Sequence, residues 1–267
     1  MKRFEMILVV LTLVLFTHCQ SEDGARGAVA RSSADSQALA AGHAARNINA
    51  QQERGETVRF TTSDGIVIEG TMYAAGQKAP TLLCLHQWRS DRASFAALAG
   101  MLQKEGFSVL TIDMRGYGGS TKTEAGKNVR PDRKAQQDIE AAMLFLRKQS
   151  SVDAGRIGLV GASYGSSNAI IYAAQSPMIR AVVLLSPGLN YFNELPTEDA
   201  VRAYRGRPLF AVASSEDLRS VETVDRYKVL APDMTSRIHE NAGHGTDILE
   251  AGVGLDREIL SFLKKNL

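Results

Sequence analysis

From residue 57 onward, short apolar runs alternate with stretches whose apolar positions recur at helical spacing, and this rhythm limits the fold more than any other feature. A continuously apolar strand has no polar face to give to water, so it must be covered on both sides. Strands that each lead into a helix achieve this cover. Residues 81–86, 107–112, 156–160, 181–185, 208–213 and 235–239 read as strands, and residues 94–105, 134–149, 166–175 and 248–265 as helices. In the helix over 134–149 the apolar positions are Ile139, Met143, Leu144 and Leu146. Ahead of this series, residues 57–62 alternate, Ser63-Asp64-Gly65 turns the chain, and 66–73 resumes, which is a β-hairpin pattern. The expectation is an α/β fold: a mostly parallel central sheet, an N-terminal antiparallel hairpin and helices on both faces. No internal repeat is present.

The 267 residues suffice for one α/β domain with a full core. The net charge of +2 is too small to point to nucleic acid, and the densest basic stretch, 127–134, contains Asp132 and reads as a solvated loop. Residues 1–19 differ from the rest. A basic start, Met1-Lys2-Arg3, precedes an apolar run over 7–16 that is too short for a permanent membrane span and has the length of a signal-peptide core. Cys19, directly after that run, resembles the lipidation site of bacterial lipoproteins, which implies a lipid anchor in the cell envelope; ordinary secretion is the alternative. Residues 20–55 are rich in Ala, Ser, Gly, Gln and Arg, with no aromatic residue. They bury too little to offset the entropy of ordering and read as a flexible tether, with room for a short helix near 36–47. The folded domain then occupies 56–267. Only two cysteines exist, Cys19 and Cys84. Cys84 lies in an apolar run and reads as a small buried hydrophobe. With Cys19 acylated, no intramolecular disulfide can form.

Gly161-Ala162-Ser163-Tyr164-Gly165 sits between an apolar strand and a helix-like run. A Gly-x-Ser-x-Gly in that context is a sharp turn that pushes the serine hydroxyl out of the fold, with glycines where strand and helix approach closely. Two other segments accompany it. Leu85-His86-Gln87 follows the strand over 81–86, and Asp113-Met114-Arg115-Gly116-Tyr117-Gly118-Gly119-Ser120 follows the strand over 107–112. Together these resemble the α/β-hydrolase family over roughly 57–267: its His-Gly segment, its Asp-x-Arg-Gly-x-Gly-x-Ser turn and its nucleophile elbow. Gln87 stands where the family usually has glycine. The resemblance implies an α/β-hydrolase fold and a Ser-acid-His triad.

A serine hydroxyl needs an adjacent base, and histidine titrates near the working pH. Of five histidines, His18 is in the leader and His43 in the tether. His86 ends a strand and reads as structural or pocket-lining; His239 alternates with strand residues. His244, in Gly243-His244-Gly245 just after the last strand, is the candidate base, since open α/β sheets put their sites in such loops. The acid should follow the strand over 208–213, where Asp217 has the family-like position and Glu216 is its rival; Asp225 and Asp233 read as helix or turn carboxylates. The backbone N–H of Tyr164 and, by the resemblance, that of Gln87 are the expected oxyanion donors. Asp113 and Arg115 read as a structural pair tying their turn. Trp88 lines the pocket mouth or packs.

The interval 187–207, with Tyr191, Phe192 and Leu195, holds a small flap rather than a cap domain. That minimal lid fits a small open esterase, with resemblance to dienelactone-hydrolase-like members. No metal cluster, phosphate loop or cofactor fingerprint is legible, so neither metal nor cofactor is expected. The sequence therefore reads as a serine hydrolase acting on a small-molecule carboxylic ester, or a thioester or amide. An envelope binding protein of the same fold and an acyltransferase using the same triad are the alternatives.

Overall fold

The computed structural model describes residues 55–267. The signal peptide expected over 1–19, Cys19, and the tether expected over 20–55, apart from Gly55, lie outside them.

β1 (Glu56–Thr61) and β2 (Ile66–Tyr73) form the antiparallel hairpin, with Thr61 paired to Val67. Gly65 completes the reversal at φ 82°. There follow β3 (Ala79–Leu85), β4 (Ser108–Ile112), a short β5 (Lys122–Thr123), β6 (Val152–Ala162) and β7 (Ile179–Leu185). β8 (Asn190–Tyr191) and β9 (Leu195–Pro196) make a separate small hairpin, before β10 (Leu209–Ser214) and β11 (Thr235–His239). The main sheet has the order β1-β2-β4-β3-β6-β7-β10-β11, with β5 paired to β2. From β4 to β11 all neighbours are parallel.

Helices α1 (Ala96–Lys104), α2 (Ala135–Leu146), α3 (Tyr164–Gln175), α4 (Glu198–Tyr204), α5 (Leu218–Leu230), α6 (Asp247–Glu250) and α7 (Leu255–Asn266) cover both faces. The two-residue period of the strands divides them between two cores. Leu83 and Leu85 join Ile139, Ile170 and Val224 in one; Leu82 and Cys84 join Leu102, Ile259 and Leu263 in the other. Cys84 is buried, and burial pushes its thiol far above the ordinary value. None of the described helices is long and apolar enough to cross a membrane.

The connections place the site. β3 leads through α1 to β4 on one side, and the chain then returns through α2 to β6 on the other side of β3. The direction of winding reverses between β3 and β6, so a crevice opens at their carboxyl ends, the position that ligands occupy in open α/β sheets. Leu85 pairs with Gly161 there, which sets His86 and Gln87 level with the Ser163 turn.

Several elements differ from the sequence reading. The helix read over 94–105 begins as a 3-10 turn, Arg92–Phe95, capped by the Asp91 carboxylate, which accepts the Ala93 amide at 2.8 Å. Leu144 is 48% exposed, because one residue's rotation turns it away from the core side held by Ile139, Met143 and Leu146. The helix read over 248–265 is two helices, α6 and α7, parted at Gly252 and Gly254, both with positive φ. The flap interval also contains α4, whose buried residues are only Val201 and Tyr204, too few to show a period in sequence.

Candidate active site

β6 ends at Ala162 and α3 begins at Tyr164, so Ser163 alone turns the chain, at φ 50° and ψ −113°. A non-glycine residue there stores about 1–3 kcal/mol of backbone strain, which the surroundings must over-determine. They do. The Ser163 amide donates to the Leu185 carbonyl at 2.8 Å, and its carbonyl accepts the Ser166 amide at 2.9 Å and the Ser166 hydroxyl at 2.6 Å. The flanking glycines are required by space. A Cβ on Gly161 would run into the Gly165 carbonyl, and one on Gly165 into the Leu85 carbonyl.

Ser163 Oγ lies 2.7 Å from His244 Nε2, and His244 Nδ1 lies 2.6 Å from Asp217 Oδ2. The sequence-read serine, base and acid thus form one continuous chain of hydrogen bonds. Burial raises the Asp217 pKa, but the bonds from Ser220 and His244 outweigh burial and hold its carboxyl below the ordinary value. An ionised Asp217 fixes the Nδ1–H tautomer and leaves Nε2 as the acceptor facing Ser163.

Glu216 is placed differently. Its Oε1 accepts the Gly243 amide at 2.7 Å and its Oε2 accepts the Ser214 hydroxyl, so it anchors the loop that carries His244 rather than the imidazole itself. Two further side chains hold the same loop. Ser186 Oγ accepts the Gly245 amide at 2.8 Å, and Gln87 Oε1 accepts the Thr246 amide at 2.8 Å. A side chain on Gly245 would strike the Gln87 amide. Asp225 sits on α5 beside Lys228, and Asp233 is exposed.

The Tyr164 amide opens α3, where helix N-termini favour negative charge. The first turn of α3 presses on the Leu85 and His86 carbonyls, which brings the Gln87 segment against it. Neither the Tyr164 nor the Gln87 amide takes part in the turn and loop hydrogen bonds of the described residues. The Gln87 side chain, which the sequence reading left without a task, bridges this segment to the His244 loop.

His86 is not pocket-lining. It is fully buried; Nε2 accepts the Met114 amide at 3.0 Å and Nδ1 lies 2.7 Å from the Gln87 carbonyl. Burial lowers its pKa, which suits a neutral ring that bonds two backbone groups. Asp113 and Arg115 do not pair with each other. Asp113 accepts the Arg92 and Gly119 amides, each at 2.7 Å, and the Arg92 guanidinium. Arg115 bonds Asp138 at 2.8 Å and Asp64 at 2.8 Å. Arg115 holds the Asp64 carboxyl down to about 2, whereas burial lifts that of Asp138 to about 6. None of these bonds reaches Ser163, so both residues are structural, as ties between the turn and separate parts of the fold. His239 packs 3.4 Å from Glu258, away from the triad.

The hairpin of β8 and β9 reaches the nucleophile. The Tyr191 hydroxyl lies 3.0 Å from Ser163 Oγ and 3.1 Å from the Ser186 carbonyl. At the hairpin tip, Phe192 is 39% exposed and packs on Trp88, with ring centroids 4.9 Å apart. Trp88 meets Tyr164 and Tyr117 edge-on at 5.1 and 5.5 Å, so it lies in the aromatic wall beside the elbow. Arg133 stacks over Phe192 at 4.6 Å and pairs with Glu194. The basic stretch read as a solvated loop therefore sends one arginine onto the flap. Tyr191 is the functional candidate that sequence reasoning missed: its aromatic neighbours were visible, but its reach to Ser163 depends on the hairpin. Among the described residues no cluster of His, Cys, Asp or Glu is placed to hold a metal ion.

The family model described as alpha/beta hydrolase fold matches residues 80–205. An uncharacterized protein of Mycobacterium tuberculosis is 35% identical over 135 residues, 50% of this chain and 46% of that protein. A thiohydrolase of Aspergillus aculeatus is 31% identical over 131 residues, 49% of this chain and 41% of that one. The match thus spans somewhat under half the length of these relatives. Among solved structures, an esterase of Pyrococcus furiosus superposes with a TM-score of 0.66 at 22% identity, over 79% of this chain and 90% of that one. The chain has the α/β-hydrolase fold.

Proposed function

We propose that this protein is a serine hydrolase that cleaves carboxylic esters through an acyl-enzyme on Ser163. The observation that carries the reading is the unbroken chain Asp217–His244–Ser163, at 2.6 and 2.7 Å, ending on a strained, space-limited elbow. His244 takes the Ser163 proton as Oγ attacks the carbonyl carbon. The Tyr164 and Gln87 amides receive the developing oxyanion, each donor being worth about 3 kcal/mol in the transition state. His244 then gives its proton to the leaving alcohol, and water repeats the sequence to free Ser163. Thioesters and amides share this chemistry, and the relative named a thiohydrolase favours thioesters as the next class to assay. The leader reading of residues 1–19, with Cys19 as lipid acceptor, supports an envelope address, tested by fatty-acid labelling that is lost in Cys19→Ser.

The test is hydrolysis of short and medium p-nitrophenyl esters by the purified protein beside Ser163→Ala. Activity that collapses in the variant supports the reading. Activity that survives in folded Ser163→Ala overturns it. A parent with no activity and no product with competing alcohols leaves an envelope binding protein of this fold.

A further inference from the structure

The proposed chemistry gives Tyr191 no task, yet among the described residues its hydroxyl is one of two groups within hydrogen-bond reach of Ser163 Oγ. Its position is built, not incidental. Asn190 Oδ1 accepts the Leu195 amide at 2.9 Å across the base of the hairpin, and Leu195 is buried in the core. Gly188 carries no side chain where the Tyr191 ring passes; a Cβ there would come within 2.6 Å of the ring.

Counting protons defines two states. Ser163 has one hydroxyl proton and two acceptors, His244 Nε2 and Tyr191 Oη. Tyr191 has one and faces two acceptors, the Ser186 carbonyl and Ser163 Oγ, with the Ser220 side chain as a further hydrogen-bonding neighbour. If Ser163 donates to Tyr191 and Tyr191 to Ser186, His244 receives nothing and the serine is idle. If Ser163 donates to His244, Tyr191 is free to donate to Oγ. Burial pushes the Tyr191 phenol up, so it keeps its proton at neutral pH.

Resting on the serine-hydrolase reading, we propose that Tyr191 is a catalytic residue that donates a hydrogen bond to Ser163 Oγ as this oxygen leaves the acyl-enzyme. In deacylation, water attacks the ester carbonyl and gives a proton to His244. The bond between the acyl carbon and Oγ then breaks, the electron pair goes to Oγ, and His244 returns its proton there. Tyr191 keeps its own proton throughout, and its bond turns from the Ser186 carbonyl to the departing oxygen. A donor aimed at charge that develops only in the transition state lowers the barrier without tightening substrate binding.

Tyr191→Phe keeps the ring and its packing. The expected result with p-nitrophenyl acetate is a kcat at least about tenfold lower, a KM lowered by a similar factor because acyl-enzyme accumulates, a kcat/KM within about threefold, and an unchanged melting temperature. Because deacylation slows most, a pre-steady-state burst approaching one p-nitrophenol per protein should appear or grow. An unchanged or raised kcat, or a fall in kcat with no larger burst, overturns the proposal. Labelling of Ser163 by a fluorophosphonate in the parent separates the two readings: without it the serine-hydrolase reading fails, whatever Tyr191→Phe does.

Discussion

Two segments converge on Ser163, and they are held by different means. The loop carrying His244 is fixed from below: Gly243, Gly245 and Thr246 give their amides to Glu216, Ser186 and Gln87, side chains that follow three different strands. The hairpin carrying Tyr191 is buried at its base through Leu195, but its tip rests on surface contacts. There Phe192 is partly exposed, and the Arg133–Glu194 pair has side chains 37% and 52% exposed. Exposed ion pairs contribute about 0–1 kcal/mol, whereas leaving a buried acceptor such as Ser186 without its donor costs about 1–3 kcal/mol; the Gln87 bond is part-buried, and only the Glu216 bond is exposed. The base of the triad is therefore fixed tightly in place, and the cover over it is held loosely at its tip.

The largest effects should come from the fixed side. Ser163→Ala and His244→Ala should each lower p-nitrophenyl ester hydrolysis by about 10³-fold or more, with folding retained. Asp217→Asn should cost about 10²–10⁴-fold, because it removes the charge that selects the His244 tautomer. Glu216→Gln, which acts only through the loop, should cost about tenfold or less. Equal losses in the two would erase the distinction between acid and anchor. Gln87→Ala leaves its backbone donor in place but frees the Thr246 amide, and should lower kcat by about tenfold; an unchanged kcat would show that the loop stands without it.

On the loose side, Arg133→Ala should change KM for bulky esters by about two- to threefold and leave melting temperature and kcat for acetate esters nearly unchanged. A collapse of activity would mean that the tip is as firmly built as the loop. The smallest effect concerns a network remote from both segments. Arg115 depresses the Asp64 pKa from 3.8 to about 2 in the folded state. A depressed folded pKa contributes stability above the unfolded value and loses it as pH falls through the folded one. Stability should therefore decline between about pH 4 and pH 2, and Asp64→Asn should flatten that decline in acid denaturation.

How much could be read beforehand follows the same division. β2 lies at the residues the alternation marked, because one of its faces is buried and the other only partly covered; β11, an edge strand with no buried residue, also lies where it was read. Ser163, His244 and an acid at 216 or 217 were legible because each sits at a strand end in a fixed chain order. What the sequence hid depends on close approach across the fold. Which of Glu216 and Asp217 faces the imidazole is a matter of one residue of loop register. The tie from Gln87 to Thr246 spans 159 residues. Tyr191 reaches Ser163 only because a hairpin with Phe192 and Asn193 at positive φ folds back over the elbow; asparagine tolerates that conformation, but nothing in phenylalanine announces it. Leu144 misled because an apolar residue beside a helical stripe counts as part of it in any pattern.

The most direct test of the central claim is peptide mapping by mass spectrometry after reaction with a fluorophosphonate. Modification confined to the peptide containing Ser163, and abolished in His244→Ala, is the result the account predicts. A protein that remains unmodified, or one modified equally with and without His244, would contradict it.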